Sequence, residues 1–305
     1  MMTNIDFIGK RKIAIVFSLS LIILSAFFIF VFKGLNYGVD FTGGALVQIK
    51  FKQKITVFDL EKMRSSFKKE NLNVDIQYLG ETKDELMIKT RLAKEGDVSQ
   101  TIEKIIKRDF KDFEVSRSEM VGPTIGKELK KLALLSVVIA NIGILLYLSF
   151  RFEYRFAIGA VVALVHDVFI TTGILSMVNY EFNSSIIAAL LTIGGYSVND
   201  TVVIFDRIRE NMKTMKKISF LEIVNKSINQ TLSRTLLTSL TVFFATVSLF
   251  VFGGEVIHGF AFVFLVGIII GTYSTIYIAS AFVVQWHLYD EKKKKQELQI
   301  PKYRR

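Results

Sequence analysis

The chain has 305 residues, of which 51% are hydrophobic, and it contains 27 phenylalanines but only two prolines, a composition typical of long apolar helices. It contains no cysteine, which excludes disulfide bonds, thiolate metal sites and thiol chemistry. The formal charge of +11 is compatible with nucleic-acid binding, but the basic excess lies beside apolar runs and near the C-terminus, which favours a membrane protein.

The first predicted element is a membrane span at residues 13–32, which follows a basic N-terminal segment, residues 1–12. This uncharged run of roughly 20 residues is long enough to cross ~30 Å of hydrocarbon as a helix. The sequence Lys33-Gly34-Leu35-Asn36 behind it offers no cleavage site of the small-x-small type. We therefore predict an uncleaved span with the N-terminus in the cytoplasm.

Residues 33–130 predict a folded domain and a linker between the first and second spans. The glycine-rich turn at 38–44 leads into a strand and is not a phosphate loop, because no helix and no Gly-Lys-Ser/Thr follows it. Four segments have the apolar pattern of strands: 45–52, 74–79, 85–91 and 113–118. Two segments have helical periodicity: 56–70 and a second beginning at Asp97. The order β-α-β-β-α-β predicts a ferredoxin-like α+β domain, which we interpret as a binding or mechanical module.

Five more long apolar runs predict five further spans within a bundle at residues 131–290. They lie at residues 132–150, 156–178, 184–205, 235–252 and 260–286. Lysine and arginine are concentrated in three connections: 151–155, the loop near 207–233, and the basic tail at 291–305. The connections at 179–183 and 253–258 contain neither residue. The positive-inside rule therefore predicts six spans, both termini in the cytoplasm, and an extracytoplasmic (periplasmic) α+β domain.

One further segment between the fourth and fifth predicted spans is amphipathic. Residues 218–231 carry apolar side chains at helical spacing. The pattern is equally compatible with a helix lying flat on the inner membrane surface and with a cytoplasmic contact surface.

The leading candidate functional residues are two charged side chains in the predicted bundle, Asp200 and Arg234. A carboxylate within hydrocarbon costs at least about 2.5 kcal/mol and marks a functional site by default. Arg234 enters the membrane from the same side as Asp200, so we predict that the two meet as an ion pair. The alternative for Arg234 is a positive-inside anchor whose side chain extends to the membrane interface.

Secondary candidates are other polar residues within the predicted spans: His166 and Asp167 in the third span, and Asn199 and Thr201 in the fourth. The His166-Asp167 dipeptide is also compatible with a buried, hydrogen-bonded structural pair. Gly194 and Gly195 are predicted to let a neighbouring helix approach closely. The sequence contains no nucleophile–base pair and no ligand-spaced histidines, so we predict no catalytic residue, no metal site and no cofactor.

Several motifs, in order along the chain, closely resemble those of the SecF family, which pairs with SecD in the bacterial Sec translocase. They are GVDFTGG at 38–44, VGP at 121–123, HDV at 166–168, GYSVNDTVV at 195–203 with DRIREN at 206–211, and TLSRTL at 231–236. The resemblance covers nearly the whole chain. It implies a half-transporter of the resistance-nodulation-division superfamily in the bacterial cytoplasmic (inner) membrane.

The resemblance also implies a mechanism and partners. Such a subunit, with SecD, uses the proton motive force to assist late stages of preprotein translocation. The positions of Asp200 and Arg234 would belong to its proton pathway, and the gradient would replace any cofactor. The implied partners are SecD, the SecYEG channel with a YajC-like subunit, unfolded preprotein and membrane lipid, but no nucleic acid.

Two other protein classes remain as alternatives. A proton-driven exporter of small molecules or lipids from the same superfamily usually carries large outer domains on both halves of a longer chain. A membrane sensor needs no charged pair in hydrocarbon and usually carries a cytoplasmic output domain. An enzyme is the least favoured class, because no reactive constellation is present.

Overall fold

The computed structural model describes residues 4–80, 82–90, 98–110 and 112–299. It divides into two compact units. The helical unit comprises Met1–Leu35, Val137–Tyr180 and Ala188–Arg305, and the α/β unit comprises Asn36–Ser136 and Glu181–Ile187.

The elements follow one another in this order. They are α1 (Arg11–Ala26, continued by a π-helical segment, Phe27–Phe32), β1 (Asn36–Tyr37), α2 (Val39–Thr42), β2 (Gly44–Phe51), α3 (Val57–Lys69), β3 (Val74–Leu79), β4 (Glu85–Thr90), α4 (Val98–Asp109), β5 (Phe113–Val121), α5 (Pro123–Arg151), α6 (Tyr154–Met177), β6 (Glu181–Phe182), α7 (Ser184–Thr214), α8 (Phe220–Phe252), α9 (Gly254–Ser274, continued by a π-helical segment, Thr275–Ala279) and α10 (Ser280–Gln299).

Six helices in the described part of the chain are long and apolar enough to cross a membrane, which confirms the predicted number of spans. They are α1, α5, α6, α7, α8 and the continuous rod formed by α9 and α10. The predicted tail at 291–305 is helical through Gln299, while residues 300–305 lie outside the described residues. Long apolar runs identify such helices well because a span must satisfy every backbone hydrogen bond within itself.

The α/β unit contains the predicted β-α-β-β-α-β order in the elements from β2 to β5. Its four antiparallel strands lie in the order β3-β4-β2-β5. Side chains of β2, α3 and α4 form one apolar core that includes Val47, Ile49, Phe67, Ile102 and Ile106. The predicted ends at Arg91 and Asp97 lie outside the described residues.

A second, two-stranded sheet was not predicted. Strand β1 pairs in parallel with β6, so Tyr37 lies opposite Phe182. Lys89 of β4 forms an ion pair with Glu181 of β6. The glycine-rich turn predicted at 38–44 leads into β2, and the structure adds that it contains the one-turn helix α2. Gly43 ends that helix at φ 72°, and a Cβ atom there would lie 2.9 Å from Pro123 Cα.

The prediction of a helix lying flat at residues 218–231 is wrong, because these residues begin the uninterrupted helix α8. The segment Phe220–Phe252 contains neither glycine nor proline, so nothing in the sequence breaks it. Ile223, Val224 and Ile228 are buried in the core of the helical unit. The alternative, a contact surface, fits this burial, and the contact is made with the same chain.

The N-terminal segment, residues 5–8, is that contact. Asn225 Oδ1 accepts hydrogen bonds from the backbone N–H of Phe7 at 2.8 Å and of Ile8 at 3.1 Å. Asn229 binds both backbone groups of Ile5, at 2.9 and 2.8 Å. Because the two asparagines lie one turn apart on α8, they hold the segment as a strap across that helix.

A fragment spanning residues 43–122 is expected to be soluble and to melt cooperatively, because it contains the four-stranded sheet and its core. Thr56 and Asp59 form a capping box at the start of α3, and the Thr56 hydrogen bonds lower the pKa of Asp59. Thr56→Ala should destabilise the fragment by about 1 kcal/mol. Folding favours the ionised form of Asp59. Its contribution to stability is therefore fully present above the pKa that Asp59 has in the unfolded chain, and it is lost as pH falls through the lower pKa that Asp59 has in the folded chain.

The measurement is thermal unfolding by circular dichroism at several pH values, with Asp59→Asn as the matched variant. The stability difference from Asp59→Asn should be full at pH 7 and should shrink below about pH 4, where unfolded aspartate titrates. A constant difference across that range would contradict the role assigned to the capping carboxylate.

Candidate functional site

The most extensively bonded carboxylate in the helical unit is Asp167, whose side chain is fully buried. Its Oδ2 accepts hydrogen bonds from Ser197 Oγ on α7 at 2.6 Å and from Ser274 Oγ on α9 at 2.7 Å. Its Oδ1 lies 2.9 Å from Nδ1 of His166. The pair is hydrogen-bonded, as one of the two sequence interpretations required, and it joins three helices.

The same cluster continues to α1 through hydroxyl groups. His166 Nε2 lies 3.1 Å from Ser18 Oγ, which lies 3.0 Å from the hydroxyl of Tyr273. The Tyr273 hydroxyl donates to the carbonyl oxygen of Ala14 at 2.8 Å. The sequence analysis missed Ser18, Tyr273 and Ser274. A signal for Ser18 did exist, because Ala14, Ser18 and Ser25, the buried residues of α1, recur on one helical face.

Asp200 has a poorer environment than Asp167, although it is also buried. Its Oδ2 accepts a long hydrogen bond from Ser239 Oγ on α8, at 3.4 Å. Ser239 also lies 2.9 Å from Thr272 Oγ1, which donates its own hydrogen to Ile268 O. The single Ser239 hydrogen is therefore contested, and no close donor stabilises a negative charge on Asp200 among these contacts.

The direct ion pair predicted between Asp200 and Arg234 is not formed in this structure of the chain alone. No oxygen of Asp200 lies within ion-pairing distance of Arg234, and the arginine lies on the exposed side of α8. Ser239, five residues further along, faces Asp200 instead. At 3.6 residues per turn the two positions point about 140° apart, which explains why one faces inward and the other outward.

The remaining sequence candidates divide between the buried and exposed faces of α7. Thr201 is buried, donates to Ser197 O at 3.1 Å and lies 3.0 Å from Thr275 Oγ1. Asn199 is exposed. Thus Thr201 belongs to the buried polar cluster, and the structure does not bring Asn199 into it.

The two glycines predicted to allow close packing also differ. A Cβ atom on Gly194 would lie 3.2 Å from Leu164 of α6, whereas one on Gly195 would meet nothing within 4 Å. Between spanning helices, closer approaches occur at two glycines that were not predicted, Gly173 and Gly267. A methyl group on Gly267 would overlap Ile193, and one on Gly173 would overlap Ser25 of α1.

The chemistry available to this cluster is proton binding and hydrogen-bond exchange. Within the described residues, no group of three or more metal-ligating side chains lies together. Two buried carboxylates in different surroundings lie on adjacent helices instead. This arrangement can hold and release protons within a largely apolar bundle.

Two family models match the chain. The model for the C-terminal region of the SecD/SecF protein export membrane proteins matches residues 101–289, and the SecD/SecF GG motif matches residues 28–55. Protein translocase subunit SecF of Calditerrivibrio nitroreducens is 49% identical over 291 residues, which cover 92% of this chain and 93% of that protein. SecF of Vibrio alginolyticus is 44% identical over 289 residues, with 92% and 90% coverage.

Two solved structures are similar to the chain. The crystal structure of SecDF from Thermus thermophilus, a translocon-associated membrane protein, is 37% identical and aligns with a TM-score of 0.82. The alignment covers 93% of this chain and 39% of that longer chain. SecDF in its super-membrane-facing form is 36% identical, with a TM-score of 0.72 and coverages of 97% and 40%.

Proposed function

Because this chain belongs to the SecF family of protein translocase subunits, we propose that it acts with SecD in the bacterial Sec translocase and uses the proton motive force to assist late stages of preprotein translocation. It is a multi-pass membrane protein and a transport component. The observation that carries the mechanism is Asp200, a buried carboxylate with one distant donor in the middle of a long apolar helix.

The partners follow from the relatives. The chain spans about two fifths of the length of the SecDF proteins, and the remainder of such a chain is the counterpart expected of SecD. Arg234 lies on the exposed side of α8, where a partner helix would cover it more cheaply than lipid. We extend the proposal to the SecYEG channel, a YajC-like subunit and unfolded preprotein, with the proton gradient in place of a cofactor.

The mechanism rests on the difference in free energy between burying Asp200 as a charged carboxylate and burying it as a neutral carboxylic acid. Proton entry neutralises the carboxylate, so the contact with Ser239 and the attraction to Arg234 change together. Two packings of α7 against α8, one for each protonation state of Asp200, would then differ in free energy, as coupling requires. A gradient of 100 mV supplies about 2.3 kcal/mol per proton, which is enough to shift such an equilibrium substantially.

Copurification from native membranes tests the assignment to the translocase. A tagged chain should be recovered with SecD and with channel subunits. Recovery without either, or together with an outer-membrane duct, would instead support an exporter.

The proposed orientation places both termini in the cytoplasm and the α/β unit outside the membrane. Since the chain lacks cysteine, single cysteines can be introduced at the exposed positions Lys104, Ser184 and Lys217. An impermeant thiol reagent applied from outside should label positions 104 and 184 but not 217. All three positions are exposed, so a difference in labelling reports the side of the membrane on which each lies. A buried position such as Ser99 would react poorly on either side. Labelling of position 217 from outside would contradict the six-span orientation.

A further inference from the structure

The polar chain between Asp167 and α1 fixes where its hydrogens lie. Tyr273 donates its hydroxyl hydrogen to Ala14 O, because a carbonyl oxygen can only accept. Ser18 must therefore donate its hydrogen to the oxygen of Tyr273. Ser18 can then only accept from His166, so Nε2 of His166 carries a hydrogen.

This assignment places one further proton between His166 and Asp167. With Nε2 protonated, the contact between Nδ1 and Asp167 Oδ1, at 2.9 Å, still needs a hydrogen. That hydrogen lies either on Nδ1, giving an imidazolium beside a carboxylate, or on Oδ1, giving two neutral groups. In both forms the pair has no net charge, which suits its complete burial.

Loss of that proton has a defined consequence for α1. A neutral imidazole would then have to carry its hydrogen on Nδ1 to reach the ionised Asp167. Nε2 becomes an acceptor and takes the hydrogen of Ser18. Tyr273 can now donate to Ser18 or to Ala14 but not to both, so α1 loses one of its two hydrogen bonds to Tyr273.

Among the described residues, helix α1 makes few other polar contacts with the bundle. Its buried face consists of Ala14, Ser18 and Ser25, while apolar side chains such as Ile13 and Ile23 are exposed. Beyond the Ser18 contacts, the Ser176 hydroxyl of α6 approaches the carbonyl oxygens of Phe28 at 2.9 Å and Gly34 at 2.7 Å. The loss of one inward hydrogen bond is therefore a large fraction of the polar attachment of this helix.

The titratable groups around the pair are few. Helix α1 presents none beyond Lys12, and α10 presents none before His287. Tyr196 and Asp200 lie on α7. Tyr273 lies on α9, with Tyr277 5.3 Å from its ring. Asp200 lies three residues, about one helical turn, from Ser197 on α7 and is the other carboxyl group of this set.

A groove of about 510 Å³ between α1 and α6 reaches His166. Ile15, Ser18 and Ile22 of α1 form one wall, and His166 of α6 lies on the other. A displacement of α1 therefore changes both the hydrogen bonds of His166 and the space beside it. The proton on the pair and the position of α1 are therefore linked through the hydrogen bonds of His166 and through the groove that α1 and His166 both line.

We propose that His166 and Asp167 form a second proton-binding site, separate from Asp200, whose protonated state holds α1 tightly to the bundle and whose deprotonated state loosens it. The inference rests on the proposed function, because it gives the proton gradient a second point of action. Along the chain, α1 leads directly into the α/β unit at Asn36, so its packing is a point at which proton binding can be transmitted.

Spin labels on cysteines introduced at Ile23 of α1 and Ile269 of α9, both exposed, report this packing in the complex with SecD in vesicles. As pH falls, the distance between the two labels should become shorter or more narrowly distributed in the chain that carries no other substitution. His166→Gln, which retains hydrogen-bonding groups but cannot titrate, should abolish the pH dependence. Ser18→Ala, which leaves the pair intact but cuts its link to α1, should abolish it as well.

Ser176→Ala is the matched control, because it removes contacts to the end of α1 that involve no titratable group. It should change the distance at every pH and leave the pH midpoint in place. A pH-independent distance in the unchanged chain, or a full response in both His166→Gln and Ser18→Ala, would overturn the proposal.

The same labels separate this inference from the proposed function. Asp200→Asn should retain the pH response of α1 even where gradient-driven export is lost. A response that disappears in Asp200→Asn but survives in His166→Gln would assign the titration to Asp200 and overturn the second site.

Discussion

Asp200→Asn is expected to abolish the part of preprotein export that depends on the proton gradient, while leaving the ATP-driven part and the assembly with SecD intact. Asparagine keeps the shape of the side chain and mimics a permanently protonated carboxyl group, so the site can no longer alternate. The measurement is preprotein translocation into inverted vesicles with and without an imposed gradient. Unchanged stimulation by the gradient would assign Asp200 a structural role only.

Asp206→Asn is the matched control for that experiment. It is the same substitution on the same helix, but Asp206 forms an exposed ion pair with Arg151 at 3.2 Å. Exposed pairs contribute about 0–1 kcal/mol, so export should be nearly normal. Arg234→Met tests the second proton-pathway candidate, and it should also reduce gradient-dependent export, although Arg234 forms no ion pair with Asp200 in this structure.

Gly173→Ala is expected to detach α1 from α6 and to lower the thermal stability of the chain. A Cβ atom at this position would overlap the Ser25 side chain and lie 2.6 Å from Ser25 Cα, so the backbone itself must move. Overpacking of this kind typically lowers the free energy of unfolding by about 1–3 kcal/mol. The expected result is a lower midpoint of thermal unfolding in detergent, with weaker recovery of SecD in copurification.

Gly195→Ala provides the control, because it is also a glycine in a spanning helix but has open space where the methyl group would lie. Alanine forms helices more readily than glycine by about 1 kcal/mol, so stability should be unchanged or slightly higher. If both variants lost stability equally, glycine content would matter more than the contact between α1 and α6.

Much of the helical architecture could be predicted from the sequence, because each span is a long uninterrupted apolar run. The strands of the main sheet also carry a period-2 pattern. The β1–β6 pairing could not be predicted, since two-residue strands at Asn36–Tyr37 and Glu181–Phe182 are too short to show any period. The continuous helix α8 was within reach, because no glycine or proline interrupts it.

The site was predictable in its residue types but not in its contacts. Asp200 and Asp167 were recognisable because carboxylates are rare within apolar runs. Which of them is well bonded depends on Ser197, Ser274 and Ser239, and serines are common on spanning helices. The side on which Arg234 projects is set by the rotation of α8 about its axis. The amphipathic pattern at residues 218–231 determines that rotation, because these residues belong to the same helix as Arg234. Interpreting them as a separate helix removed this information.

The strap at residues 5–8 is bound near the start of α8, the fifth spanning helix, so its packing depends on the position of that helix. Helix α8 has 33 residues and is therefore about 50 Å long, and Asn225 lies 14 residues, or about 21 Å, from Ser239 beside Asp200. Because α8 is continuous and contains neither glycine nor proline, we expect a tilt that begins at Ser239 to displace Asn225 and Asn229 as well. The packing of residues 5–8 against Asn225 and Asn229 would then report a displacement of α8 beside Asp200.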